Sequence, residues 1–139
     1  MMKSVRELVE RAERLGLTIL IENGADPVPF LLKTADQFKR FFEELGSEIS
    51  LGMAFDVGHA HICGQADLFI KAFADRIRHV HVHDNNGKSD SHLALGAGTV
   101  DWPGILGSLR EIGYRGPVVV ECVERPLESL ERLRDWLGR

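Results

Sequence analysis

Acidic and imidazole side chains recur in this sequence at the ends of apolar runs. In the run 77–84, His79, His81 and His83 alternate with Val80 and Val82. Side chains alternate across a strand, so the histidines share one face and the valines the other. The same alternation sets Glu22 with Leu20 against Ile19 and Ile21. It sets Asp56 with Gly52 and Ala54 against Met53 and Phe55, and Glu121 with Val119 against Val118 and Val120. Each run thus carries an acid or a histidine near its C-terminal end, on the face away from its most apolar residues. A charge that leaves water needs a partner. A divalent cation satisfies several at once, and three carboxylates with one imidazole suit Mn²⁺, Mg²⁺ or Co²⁺ and tolerate Zn²⁺. Glu22, Asp56, His81 and Glu121 are therefore the expected metal ligands. Singly, each would pass for a solvated strand-end residue; the equivalence of four positions points to the metal.

Two loops add polar groups. His59 lies three residues past Asp56, in the sequence Asp56-Val57-Gly58-His59, which we read as a turn. The segment 84–92 is long, polar and contains Gly87, as functional loops do. Within it Asp90 and His92 are spaced to act together on a ligand or a second metal. His59, His83, Asp90 and His92 form the expected substrate-binding group. Lys88 reads as a solvated lysine, Gly96-Ala97-Gly98 as a plain turn, and Cys122 as a packing residue.

The elements that must hold these groups alternate regularly. Apolar runs at 18–22, 51–56, 77–84 and 118–122 predict four strands, separated by helical patterns as in successive βαβ units. The helical faces are Val5, Leu8, Val9, Ala12 and Leu15; Phe38, Phe41, Phe42 and Leu45; Leu68, Phe69, Ala72 and Phe73; Ile105, Leu106, Leu109 and Ile112; and Leu127, Leu130, Leu133 and Leu137. Thr34 with Gln37 forms a capping box, and Asp101 caps the helix that has Pro103 in its first turn. Gly16, Gly46 and Gly113 supply stops. The prediction is an α/β fold of four parallel strands under covering helices, with residues 1–139 as one unit.

Composition bounds the rest. The chain has 139 residues, 44% hydrophobic and 27% charged, which is ordinary for a globular domain. Seventeen basic residues against 21 acidic give a net charge of −4, which argues against a nucleic-acid surface. No apolar run reaches the roughly 18 residues of a membrane span. Met1-Met2-Lys3-Ser4 does not open a signal peptide. Two cysteines, Cys63 and Cys122, make no disulfide framework, so the expected setting is the reducing cytoplasm.

The residues also resemble a known family. Ile19-Leu20-Ile21-Glu22-Asn23, Phe55-Asp56-Val57-Gly58-His59, the run from His79 to Asn85, the segment from Asp90 to Gly98 followed by Val100-Asp101-Trp102, and Val118-Val119-Val120-Glu121 occur in this order. Together they resemble the C-terminal half of the xylose isomerase-like barrels. That superfamily holds sugar and sugar-phosphate isomerases and epimerases, and also endonuclease IV. The resemblance implies the (βα)4 half of a TIM barrel. It implies metal ligation by Glu22, Asp56, His81 and Glu121, and substrate contact from His59. It makes Glu22 and Glu121 the acid/base pair of an epimerase that works through an enediolate on one divalent metal. The endonuclease IV branch would make His59, Asp90 and His92 further zinc ligands, and needs two histidines from a first half that this chain lacks. Complete barrels run to about 250 residues and eight strands. Half a barrel leaves two apolar strand edges, so the expectation is self-association, as a homodimer, or pairing with a missing N-terminal half. A non-catalytic metal-binding half-barrel is the remaining reading.

Overall fold

The computed structural model describes residues 2–25 and 32–138; Met1, the segment 26–31 and Arg139 lie outside the described residues. The element order is α1 (Met2–Arg14), β1 (Leu20–Glu22), α2 (Ala35–Leu45), β2 (Gly52–Asp56), α3 (Val57–Ile62), α4 (Ala66–Ala72), β3 (Ile77–Val82), α5 (Trp102–Glu111), β4 (Val118–Val120) and α6 (Pro126–Leu137). The strands form one parallel sheet in the order β1-β2-β3-β4. This is the expected (βα)4 half-barrel, with a short extra helix inserted.

Packing follows the alternation. Met53, Phe55, Val80 and Val82 are all fully buried on the helix side of the sheet. Beneath them Phe38 meets Phe69 edge-on at 5.6 Å, and Phe55 stacks on Phe69 at 5.9 Å between ring centres. The α2 register is fixed at its start: Gln37 N–H donates to Thr34 Oγ1, and the Gln37 side chain accepts from Thr34 N–H. Gly46 ends that helix at φ 92°, a conformation few side chains adopt. Asp101 caps α5 through Gly104 N–H at 3.1 Å.

Three expectations need correction. The turn after Asp56 is a helix, α3, because the Asp56 carboxylate caps it: Oδ1 accepts from His59 N–H at 2.7 Å. In α4 it is Ile70 that is buried with Phe69 and Phe73, whereas Leu68 faces solvent. In α1 only Val9 and Ala12 are buried; Leu8 and Leu15 are exposed, as is Leu127 in α6. Leu8, Leu15 and Leu17 lie on or just past α1, beside the β1 edge. Val119 lies in β4, Val123 just past it and Leu127 in α6, at the other. Apart from Leu68, the large apolar residues left uncovered thus fall toward the two ends of the sheet. Among the described residues no helix is long and apolar enough to cross a membrane.

Candidate metal centre

The parallel register brings the strand-end side chains together. Asp56 is paired with His81, and His81 with Val119, two residues before Glu121. Glu22 closes β1, paired with Ala54. His81 Nδ1 lies 3.2 Å from Glu22 Oε1, 3.3 Å from Glu121 Oε1 and 3.9 Å from Asp56 Oδ2. One ligand atom from each of these four residues falls within 4.8 Å of the others. Asp56 is wholly buried, while the Glu22 and Glu121 side chains keep 41% and 35% exposure. The set is therefore closed from below and open above. Asp56 Oδ2 is buried without a hydrogen-bond partner. A carboxylate oxygen left so is costly unless a cation meets it, and the donor chemistry fits a divalent ion.

In a second set, His59, His83, Asp90 and His92, one ligand atom from each residue likewise lies within 4.8 Å of the others. Asp90 is its hub. Its Oδ2 is 3.3 Å from His59 Nε2, and its Oδ1 is 3.3 Å from His92 Nε2 and 3.6 Å from His83 Nε2. Two of the rings are oriented by main chain. His59 Nδ1 pairs with Asn23 O at 2.7 Å, and His92 Nδ1 with Glu121 O at 2.7 Å. A carbonyl only accepts, so both rings carry a proton on Nδ1 and turn Nε2 toward the Asp90 carboxylate. His83 is fully buried, stacked on His92 at 3.8 Å, with Nε2 3.1 Å from Asp56 Oδ1. It has no exposed edge, unlike the other members of its set.

Electrostatics tie the two sets at Asp56 and His83. Burial pushes the Asp56 carboxyl up, but the bond and charge of His83, the charge of His59 and the His59 backbone N–H outweigh it and hold the carboxyl below its ordinary value. Burial pushes His83 down, and the bond and charge of Asp56, with the charge of Asp90, hold it above its ordinary value.

Sequence reasoning missed the supports. Asn23 is buried and clips β1 to β2: its Nδ2 donates to Asp56 O at 2.9 Å and its Oδ1 accepts from Asp56 N at 2.8 Å. Asp84 is buried and gathers the loop that follows it. Asn85 is buried and donates to Gly58 O at 2.9 Å, joining that loop to α3. The one available signal was chemical. Asn and Asp directly after strand-end acids or histidines are short side chains suited to local backbone bonds. Outside the two sets, His61 Nε2 meets Thr99 Oγ1 at 2.9 Å, Lys88 is exposed and Cys122 is buried. The groove between α5 and α6, lined by Leu106, Leu109, Tyr114 and Leu133, holds none of these residues.

Comparison with known proteins decides the family. The Xylose isomerase-like TIM barrel family matches residues 1–139. The chain belongs to this family. An uncharacterised protein of Methanocaldococcus jannaschii is 34% identical over 139 residues, covering 96% of this chain and 47% of its own length. A ketose 3-epimerase of Arthrobacter globiformis is 33% identical over 121 residues, covering 85% of this chain and 39% of its own. The crystal structure of a D-tagatose 3-epimerase-like protein superposes with a TM-score of 0.88 at 33% identity, over 99% of this chain and 53% of that one. The chain thus spans about half the length of these relatives.

Proposed function

We propose that this chain is the metal-binding half of an isomerase or epimerase that moves a proton next to the carbonyl of a sugar or sugar phosphate. The observation that carries the reading is the convergence of Glu22, Asp56, His81 and Glu121 around the partnerless Asp56 Oδ2. The 33% identity to a ketose 3-epimerase supports the substrate class. Asp56 and His81 would anchor a divalent cation from below, with Glu22 and Glu121 completing its ligand set. Such a cation, when bound, polarises the carbonyl and offsets the charge that develops as an enediolate forms. Glu22 and Glu121 come from the two outer strands and are the two most exposed carboxylates of the set. One removes the proton and the other returns it on the opposite face. His59, Asp90 and His92 border the open side and contact the substrate's hydroxyl groups; His83 stands behind them.

The uncovered edges require a second (βα)4 unit, supplied by an N-terminal half or by a second copy of the chain as a homodimer. Either would bury the exposed Leu15, Leu17, Val119 and Val123 and wall the substrate cavity. We place the chain in the reducing cytoplasm, since two cysteines, Cys63 and Cys122, make no disulfide framework. Calorimetric titration with Mn²⁺, Mg²⁺, Co²⁺ and Zn²⁺ tests the centre. One equivalent should bind, and Asp56→Ala with His81→Ala should abolish it; unchanged affinity in the double variant refutes the site. Epimerisation of a sugar panel, by the chain alone and with a supplied first half, then separates a self-sufficient enzyme from a metal-binding half.

The second set favours one further reading, an abasic-site endonuclease. It predicts more than one zinc per chain and cleavage of abasic DNA. The net charge of −4 opposes it.

A further inference from the structure

We infer that His83 is a positioning residue that holds Asp56 with one oxygen presented to the metal; this rests on the metal centre proposed above. The two oxygens of Asp56 have different surroundings. Oδ1 takes the His59 backbone N–H at 2.7 Å and faces His83 Nε2 at 3.1 Å. Oδ2 has no partner and faces the four-residue set, with His81 Nδ1 at 3.9 Å. The carboxylate is thus turned, and what turns it is a backbone amide on one side and an imidazole on the other.

The proton on His83 Nε2 can be placed from its partner. Imidazoles at a site are oriented by donating one nitrogen to an acceptor, as His59 does to Asn23 O and His92 to Glu121 O. His83 Nδ1 is buried and has no partner. Nε2, by contrast, lies 3.1 Å from Asp56 Oδ1, and a carboxylate oxygen only accepts, so Nε2 must carry a proton. His83 Nε2 is therefore a donor to Asp56 Oδ1, with no lone pair left for a cation. This separates His83 from His59, Asp90 and His92, although all four lie within reach of one another.

Packing keeps the ring in place. It stacks on His92 with 15° between planes. The ring also closes on Gly58, where an added Cβ would overlap Cε1, Nε2 and Nδ1 well inside van der Waals contact. Gly58 is therefore required by His83 as a neighbour, and Gly58→Ala displaces the imidazole first.

The test is Mn²⁺ calorimetry on the whole chain, with circular dichroism of each variant as a check of folding. His83→Leu and Gly58→Ala should each weaken Mn²⁺ binding by about 10- to 100-fold, the usual effect of losing a group that orients a ligand, with the stoichiometry unchanged. His83→Gln, whose terminal amide N–H can replace Nε2–H, should restore most of the affinity. Unchanged affinity in both of the first two variants overturns the inference. So does complete loss of the single Mn²⁺ equivalent in a folded His83→Leu, which would make His83 a ligand. Failure of His83→Gln to restore binding also overturns it, since packing alone would then explain the effect. If His83→Leu does not fold, Gly58→Ala and His83→Gln decide: weak binding in the first with near-normal binding in the second supports the inference, and any other pair overturns it. If the native chain binds no Mn²⁺ at all, the proposed centre itself fails, and this inference with it.

Discussion

Replacing Asp84 with alanine should release the loop that carries Asp90 and His92. Asp84 is fully buried directly after His83, and its side chain accepts four hydrogen bonds. Oδ1 takes Asn85 N–H at 2.9 Å and Val100 N–H at 3.2 Å. Oδ2 takes Gly96 N–H at 2.8 Å and the Trp102 indole N–H at 2.9 Å. These donors span residues 85–102, so one carboxylate closes the whole connection from β3 to α5. Truncation leaves four donors unpaired. A buried donor without a partner costs about 1–3 kcal/mol. Gly96 is exposed and can turn to water, so three donors at the low end give about 3–4 kcal/mol. That is a large part of the 5–15 kcal/mol typical of a domain. Asp84→Asn is the control. It keeps Oδ1 as an acceptor but sets an amide N–H₂ against Gly96 and Trp102, and should cost about half as much. Urea denaturation measures both, and amide hydrogen exchange at Val100 locates the effect. Variants within about 0.5 kcal/mol of the native chain, with unchanged exchange at Val100, would refute the reasoning.

Two further outcomes follow from local structure. Thr34→Ala removes the acceptor for Gln37 N–H and half of the capping box, and should lower stability by about 1 kcal/mol in urea denaturation. Tyr114, the sole tyrosine, is pushed up to about 12 by burial. In the unfolded chain it ionises near its ordinary 10, so between these values the folded form holds a proton the unfolded form has lost. Its contribution is complete below pH 10 and should be lost as pH rises from 10 through 12, read as late phenolate absorbance and a falling denaturation midpoint.

Much of the sheet was legible because its two faces carry different chemistry. Val80 and Val82 against His79 and His81 admit only one orientation, and the four runs sit at spacings only parallel units explain. The strand ends were less legible. The runs at 18–22 and 118–122 read as five-residue strands but pair over Leu20–Glu22 and Val118–Val120. These are the outer strands, with one neighbour each, so the ladder fades sooner. The short helix α3 was hidden because Val57 and Gly58 are poor helix formers; the tertiary position of Asp56, whose carboxylate caps the helix, overrides that preference. The exposed Leu8, Leu15 and Leu127 show the converse. Periodicity marks every apolar face, including those that this half of the barrel does not itself cover.

Locally, the site explains why half a barrel can carry so much of it. All four residues of the first set come from this chain, as do the groups that turn them. Asn23 fixes Asp56 through two bonds to its backbone and orients His59 through its carbonyl. Glu121 serves both sets, by its side chain toward His81 and by its carbonyl toward His92. None of these supports crosses an open edge of the sheet. Substrate enclosure is different. On the proposed reading it depends on walls beyond the β1 and β4 edges, where Leu15, Leu17, Val119 and Val123 remain exposed. On the proposed reading, metal affinity is therefore a property of this half alone, while substrate affinity is a property of the closed barrel. The two can be separated experimentally: adding the complementary half should leave the Mn²⁺ dissociation constant nearly unchanged while creating epimerase activity. A large rise in metal affinity on closure would show instead that the ligand set is finished by residues from the other half.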